Sequence, residues 1–327
     1  MSAGVIAAVA GLGTNGGRPS LPAGPARPVA PPIALVSPPS SVSLYMESTD
    51  PGVLSALGCR LARDVIAGRA PRDALVVLDF GHPVHKGGRF GTVIYGGGGF
   101  RPTAWIRQGA QAYARGFGGC MGPVPEASLL VALGTSNYGH QVSLGHGRAW
   151  AAMVNAASDW LTAHPSGPAP LSFAGADDIE PGWNSPAVSR RWVDGYDAVG
   201  RFPYYDFGGA AKCPPYGSCA NGWTQEDVWY VSSGAPLARA LPEVYTESGA
   251  SADQWYAMAQ YSLSVHGEPL RIEGVMSERG ACTLVRDPCA GIDNTPAQAW
   301  RQLAQRLAAD PLTSRPIRWV TDITYQR

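Results

Sequence analysis

In LSFAGADDIEPGWNS, residues 171–185, three carboxylates (Asp177, Asp178 and Glu180) crowd together where an apolar run stops. Repulsion between like charges makes such a cluster costly, and no fold requires it. Close carboxylates perturb one another, so that one stays protonated while its neighbour ionises. That pairing is what acid catalysis on a glycosidic bond needs. Further acids close other short apolar runs: Asp79 in VVLDF, Asp206 in FPYYDF, Glu243 in LPEVYT and Asp322 in WVTDI. An aspartate at a strand end also serves as a helix cap, so each one alone has a structural alternative.

Two other chemistries compete. His82 and His85, close to Asp79 in DFGHPVH, offer metal-ligand types for a hydrolase of the amidohydrolase or deacetylase kind, but Pro83 interrupts the stretch and no second ligand set follows, so loop histidines are the better reading and no metal is expected. Ser136 in GTSNYGH lacks the G-x-S-x-G elbow of a nucleophilic serine. Its neighbours Asn137 and Tyr138 read as substrate contacts, and Trp183 and Tyr245 offer flat faces on which a sugar ring can lie. Asp206 reads as a further substrate-facing acid.

The elements that must position these groups alternate short apolar runs with helical patterns, which implies a parallel sheet with crossover helices. Eight strand candidates follow in order: 74–80, 92–96, 129–135, 171–177, 202–207, 241–246, 270–276 and 317–323. Helical patterns over 103–116, 147–163, 185–199, 224–232, 252–265 and 295–309 separate them, with an extra helix over 54–67 ahead of the first. Eight such units fit a (β/α)8 barrel of the TIM type in one domain from residue 43 to 327. A doubly wound open sheet is the alternative, weakened because Gly81-His82-Pro83 follows the first strand where a dinucleotide fingerprint would stand. Gly96–Gly99 lacks the Gly-Lys-Ser/Thr of a phosphate loop and reads as a turn, so no cofactor is expected.

In a barrel, alternate strand residues face the axis and the helix layer, and active sites lie at the C-terminal ends of the strands. On 171–180 one set is Leu171, Phe173, Gly175, Asp177 and Ile179; the other is Ser172, Ala174, Ala176, Asp178 and Glu180. The bulky set suits the helices and the small set the crowded axis. Asp178 and Glu180 therefore point into the mouth and Asp177 does not. Glu243 and Tyr245 share one face of their strand. Glu180, beside Pro181 and Trp183 and one step above Asp178, is the expected proton donor.

The strand-end Asp in VVLDFG, the Asp-x-Glu in ADDIEPGW, the PEVYT strand and the VTDIT ending resemble the glycoside hydrolase family 25 lysozymes and related barrels of exported bacterial proteins. The resemblance runs from about residue 74 to the end. It implies a glycan or peptidoglycan substrate, with Glu180 as proton donor, Asp178 as the partner that orients or stabilises the reacting group, Asp79 as a supporting acid and Asp322 as the last acid of the set. The extra acid Asp177, the helix before the first strand and Asp-Phe-Gly in place of a polar Asp-x-Ser depart from that pattern. A barrel that binds a glycan without cleaving it is the non-enzymatic alternative.

Composition narrows the setting. With 25 basic and 25 acidic side chains and no cationic block, nucleic acid is not an expected partner. No apolar run approaches the roughly 20 residues of a membrane span. Cys213 with Cys219 and Cys282 with Cys289 are short local pairs, Cys59 with Cys120 follows by elimination, and three disulfides imply an oxidising compartment. Residues 1–42, with GGRPSLPAGPARPVAPP, have a linker's composition. MSAGVIAAVAGLG resembles the apolar part of a signal peptide without its basic start, which reads as a chain begun downstream of its true start, and the protein is expected to be secreted or on the cell surface.

Overall fold

A computed structural model describes residues 36–326, apart from 211, 214–217 and 286–288. The signal-like run and the Pro-rich run lie outside the described residues. The first strand, β1 (Ser41–Tyr45), is followed by α1 (Pro51–Ile66) and β2 (Asp73–Asp79). An antiparallel excursion comes next, of β3 (His82–Lys86), β4 (Arg89–Ile94) and β5 (Gly99–Pro102). Then alternate α2 (Thr103–Cys120), β6 (Ser128–Ser136), α3 (Leu144–Ala163), β7 (Leu171–Asp178), α4 (Pro186–Asp197), β8 (Tyr204–Asp206), α5 (Gln225–Trp229), β9 (Ala238–Ala240), α6 (Ala250–Tyr261), β10 (Gly274–Ser277), α7 (Arg279–Val285), α8 (Pro296–Ala308) and β11 (Trp319–Tyr325).

Eight strands form one parallel sheet in the spatial order β10-β11-β1-β2-β6-β7-β8-β9. Parallel bridges from Ala240 to Ile272 and from Glu243 to Met276 bring the two ends together, so the sheet is a nearly closed TIM-like barrel. Two expected strands are corrected: the one expected over 241–246 lies earlier, as β9, and leaves a single bridge from Glu243 to Met276. Residues 92–96 belong to the antiparallel excursion, where Thr92 faces Arg101, and Gly96–Gly99 makes the turn into β5. The missing barrel strand is β1, whose inward residues are polar. The Ser41 hydroxyl donates to Leu75 O, while Ser43 Oγ lies 2.8 Å from Thr321 Oγ1 and accepts the Val77 N–H at 2.9 Å.

Two apolar layers hold the barrel. Inside, Leu75, Val77, Ala132, Ala174, Ala176, Phe207, Trp319 and Ile323 fill the axis. Outside, the opposite strand faces pack on helices through Leu54, Phe117, Trp150, Trp192 and Trp255, all fully buried. Each such side chain contributes roughly 1.5–3 kcal/mol. Side-chain caps begin several helices: Thr295 and Gln298 close a capping box on α8, as Thr224 and Asp227 do on α5. Helices α1 and α2 approach through glycine, since a Cβ on Gly58 would stand 2.0 Å from Tyr113 O and one on Gly116 1.9 Å from Ser55 O. The Cys59–Cys120 disulfide ties the same pair, and Cys213–Cys219 and Cys282–Cys289 are also formed. Three disulfides fit an oxidising, extracellular setting. Among the described residues no helix is long and apolar enough to cross a membrane.

Candidate functional site

The alternation along β7 places Ala174 and Ala176 in the barrel interior and Phe173 and Ile179 against the helices. Asp178 and Glu180 continue the inward set. There they meet Glu243, which arrives from the stretch after β9 with Val244 turned out to the helix layer. Carboxylate oxygens of Asp178, Glu180 and Glu243 all lie within 4.8 Å of one another. Asp178 and Glu243 are buried and Glu180 is partly exposed, at the solvent side of the group. None of the three has a Lys, Arg or His ion-pair partner among the described residues.

Such a group cannot carry three charges. Burial raises the Asp178 carboxyl well above the usual range, and the charges of Glu243, Glu180, Asp79 and Asp177 push it further. Its Oδ1 is buried with no hydrogen-bond partner. Glu243 is likewise raised well above its usual value, by burial and then by Glu180 and Glu278, with the Tyr245 hydroxyl acting against them. Glu180 is raised by burial and by the Glu278 charge, with the Gly209 backbone and the Glu243 carboxyl acting against the rise, and its Oε1, like Asp178 Oδ1, is buried with no hydrogen-bond partner among the described residues. The backbone at 208–209 is shaped for this contact: a Cβ on Gly209 would stand 2.6 Å from Glu180 Oε1.

Asp79 completes the wall on the β2 side. Its Oδ1 accepts the Gly81 N–H at 2.9 Å and its Oδ2 the Tyr95 hydroxyl at 2.6 Å. Burial nevertheless raises it to about 6. Tyr45 and Tyr95 lie side by side with ring centroids 4.8 Å apart, and the Tyr45 hydroxyl donates to Glu278 at 3.2 Å. Tyr245 is also at the mouth, its own ionisation suppressed first by Glu243 and then by burial. Glu278 carries no local signal in the sequence; it stands one residue beyond β10 and meets Tyr45 from the far end of the chain.

Other expected residues fall elsewhere. Asp206 shares the outward face of β8 with Tyr204, in register with Asp177, and accepts the Gly208 N–H at 3.2 Å. It is not a mouth acid. Asp177 faces outward as expected, and both its oxygens are buried without a partner. Asp322 alternates with the inward Trp319, Thr321 and Ile323, so it too faces out. It accepts from Ser277 Oγ at 2.6 Å and from the Arg279 and Gly280 N–H groups at 3.0 and 2.9 Å, capping the start of α7. Asn137 is fully buried and grips the Glu180 backbone: its Oδ1 accepts Glu180 N–H at 3.0 Å and its Nδ2 donates to Glu180 O at 3.0 Å. It positions the acid and has no surface for substrate.

Tyr138 and Trp183 stand exposed at the rim. Asp79, His82 and His85 do not gather: Asp79 is inside the mouth, His82 meets Tyr138 edge-on at 5.7 Å, and His85 stacks on Phe90 at 4.3 Å. Among the described residues the set of ligand atoms close enough for an ion is Asp178, Glu180 and Glu243.

The sequence matches no protein-family model and no curated protein.

Proposed function

We propose that this barrel is an exported glycoside hydrolase, acting on a cell-wall or related glycan at its C-terminal mouth. The observation that carries the reading is the trio Asp178, Glu180 and Glu243, with oxygens within 4.8 Å and no Lys, Arg or His ion-pair partner among the described residues. The trio titrates as a unit. At neutral pH the remaining charge settles on Glu180, which has the most solvent and whose charged form the Glu243 carboxyl favours. The protons stay on Asp178 and Glu243, which are more deeply buried than Glu180 and are raised well above the usual range.

The roles expected from the sequence are thereby exchanged. Asp178 protonates the leaving oxygen and the Glu180 carboxylate meets the anomeric carbon. Breaking the glycosidic bond leaves the bonding pair on the departing oxygen, which takes the Asp178 proton. The carboxylate of Glu180 forms the bond to the sugar, and water, deprotonated by Asp178, later releases it. Acids this close leave no room for a water between them, as inversion requires, so the anomeric configuration is retained. Asp79 holds the Tyr95 side of the mouth. The motifs VVLDFG, ADDIEPGW, PEVYT and VTDIT resemble the family 25 lysozymes, whose pattern would instead make Glu180 the proton donor, and the resemblance supports a peptidoglycan-like substrate.

The test is digestion of peptidoglycan and soluble glycans by the wild type and by Glu180→Gln. Release of reducing ends by the first and none by the second supports the reading. A glycan that binds in the mouth uncleaved replaces it with a binding domain. A second reading rests on the same spacing, since three carboxylate oxygens can enclose a hard divalent cation. Calorimetry with calcium and magnesium chloride at pH 7 separates the two: saturable binding abolished by Glu243→Gln favours the ion.

A further inference from the structure

Beside the mouth lies a second concavity of about 580 Å3, walled by His82, Tyr138, Gln141, Trp183 and Asn184. That volume is within the range of small-molecule sites. Tyr138 and Trp183 are 54% and 43% exposed, and their rings meet at 84° with centroids 5.7 Å apart. Among the described residues such an aromatic corner leaves much of both rings open to solvent.

The pocket's polar groups divide into a fixed floor and free edges. Asn184 is fully engaged, donating to Asn137 O and Gly139 O while its own carbonyl oxygen takes the Trp223 indole N–H at 2.8 Å. Around this floor, the Tyr138 hydroxyl, the Gln141 amide nitrogen and the His82 ring have no hydrogen-bond partner among the described residues, although the Gln141 amide oxygen is held by the His85 N–H. The walls contain no Asp, Glu, Lys or Arg. Burial lowers the His82 pKa, so that ring is neutral at pH 7. A charged ligand would find no carboxylate, ammonium or guanidinium to pair with. A ligand with an apolar face and a rim of neutral hydroxyl or amide groups would satisfy every free edge.

Position links the pocket to the acids. The Trp183 N–H donates to Glu180 O at 3.1 Å, and Tyr138 directly follows Asn137, which grips Glu180 from the other side. The two rim aromatics are thus carried by the turns that hold Glu180. We propose that this pocket is a binding subsite for an uncharged pyranose, a hexose or N-acetylhexosamine, of an extended glycan whose next linkage lies over Asp178 and Glu180. Its place in a glycan path rests on the hydrolase reading, but its occupancy does not.

Binding of tetraacetylchitotetraose, cellotetraose and tetragalacturonate is measured by calorimetry and tryptophan fluorescence on the full chain, wild type and Glu180→Gln. The expected result is binding of at least one neutral tetrasaccharide to both proteins, weakened about tenfold or more by Trp183→Ala and by Tyr138→Ala, with no binding of tetragalacturonate. Both side chains are exposed, and an unchanged circular dichroism spectrum verifies that the variants fold. Binding of no neutral tetrasaccharide, binding indifferent to both substitutions, or equal binding of tetragalacturonate overturns the subsite. Cleavage by the wild type with KM unchanged in Trp183→Ala sinks the subsite and leaves the hydrolase. Trp183-dependent binding without cleavage of any glycan sinks the hydrolase and leaves the subsite.

Discussion

Asp178 and Asp322 are the same residue at the same end of two parallel strands, and the barrel treats them in opposite ways. Asp322 faces the helix layer, where a hydroxyl and two backbone N–H groups at the start of α7 surround it. Burial raises its pKa, and Ser277, Gly280 and Arg279 oppose the rise. Asp178 faces the axis, where its Oδ1 has no hydrogen-bond partner among the described residues and the charges of four other acids, Glu243, Glu180, Asp79 and Asp177, bear on it. One position of strand parity separates an acid that holds the fold together from one whose burial costs stability. Unsatisfied acids gathered in a concave site are what a reaction needs and what a fold avoids.

The largest difference between the two is expected in activity. Asp178→Asn should lower glycan hydrolysis by about 10²–10⁴-fold, and Glu180→Gln should bring it near background, while Asp322→Asn leaves the rate within a few-fold, about 1 kcal/mol. Added azide distinguishes the two mouth acids. It should restore turnover in Glu180→Ala by attacking from the emptied side, and give an azide product of inverted configuration. An azide product of inverted configuration from Asp178→Ala instead would return Glu180 to the role of proton donor. The pH profile of kcat/KM should be bell-shaped, rising as Glu180 ionises and falling only when the Asp178 proton leaves, above the ordinary carboxylate range. Proton NMR of the first product should show the substrate's anomer; the opposite anomer defeats the double displacement.

The second difference is in stability, with the sign reversed. Asp322→Ala leaves Ser277 and two N–H groups without their acceptor and should cost about 2 kcal/mol in denaturant unfolding. A loss below the measurement error would mean that α7 is held by the Cys282–Cys289 loop and not by its cap.

These contrasts were partly legible in the chain. On β7, Phe173 and Ile179 are so much larger than Ala174 and Ala176 that size alone assigns the faces, and the direction of Asp177, Asp178 and Glu180 follows. On β8 the signal fails, because Tyr204 and Tyr205 are the same residue on opposite faces, and Asp206 was assigned to the wrong one. Along β11 the inward Trp319, Thr321 and Ile323 alternate with Val320, Asp322 and Thr324, and neither set is distinctly smaller. Most helices declared themselves by their caps and periodicity. Strand β1 did not, since a run whose axis-facing residues are Ser41 and Ser43 looks like the end of a polar linker. The apolar run at 92–96 looked like a barrel strand because periodicity does not report a strand's partner. Glu278 and the grip of Asn137 on Glu180 depend on contacts between distant segments, which no local pattern encodes.

The smallest expected effect sharpens the comparison within the mouth itself. Asp79 has two donors, as a structural acid does, yet burial still raises it to about 6 from 3.8. A folded value above the unfolded one means that the native state binds the extra proton between these limits. Wild-type stability contributed by this group is therefore present below about pH 4, is lost as pH rises through about 6, and is level beyond. The shift sets an upper bound of roughly 3 kcal/mol. Asp79→Asn cannot ionise and keeps an oxygen for the Gly81 N–H, but it exchanges the strong Tyr95 contact for a neutral one, so a net gain of about 1 kcal/mol is expected at pH 7. At pH 4, where the wild-type acid is itself protonated, the gain should vanish. Urea titrations of both proteins at the two pH values measure this. A variant equally destabilised at both would show that Asp79 belongs with Asp322, as an acid kept for the fold, and that the cost of the mouth lies wholly in Asp178, Glu180 and Glu243.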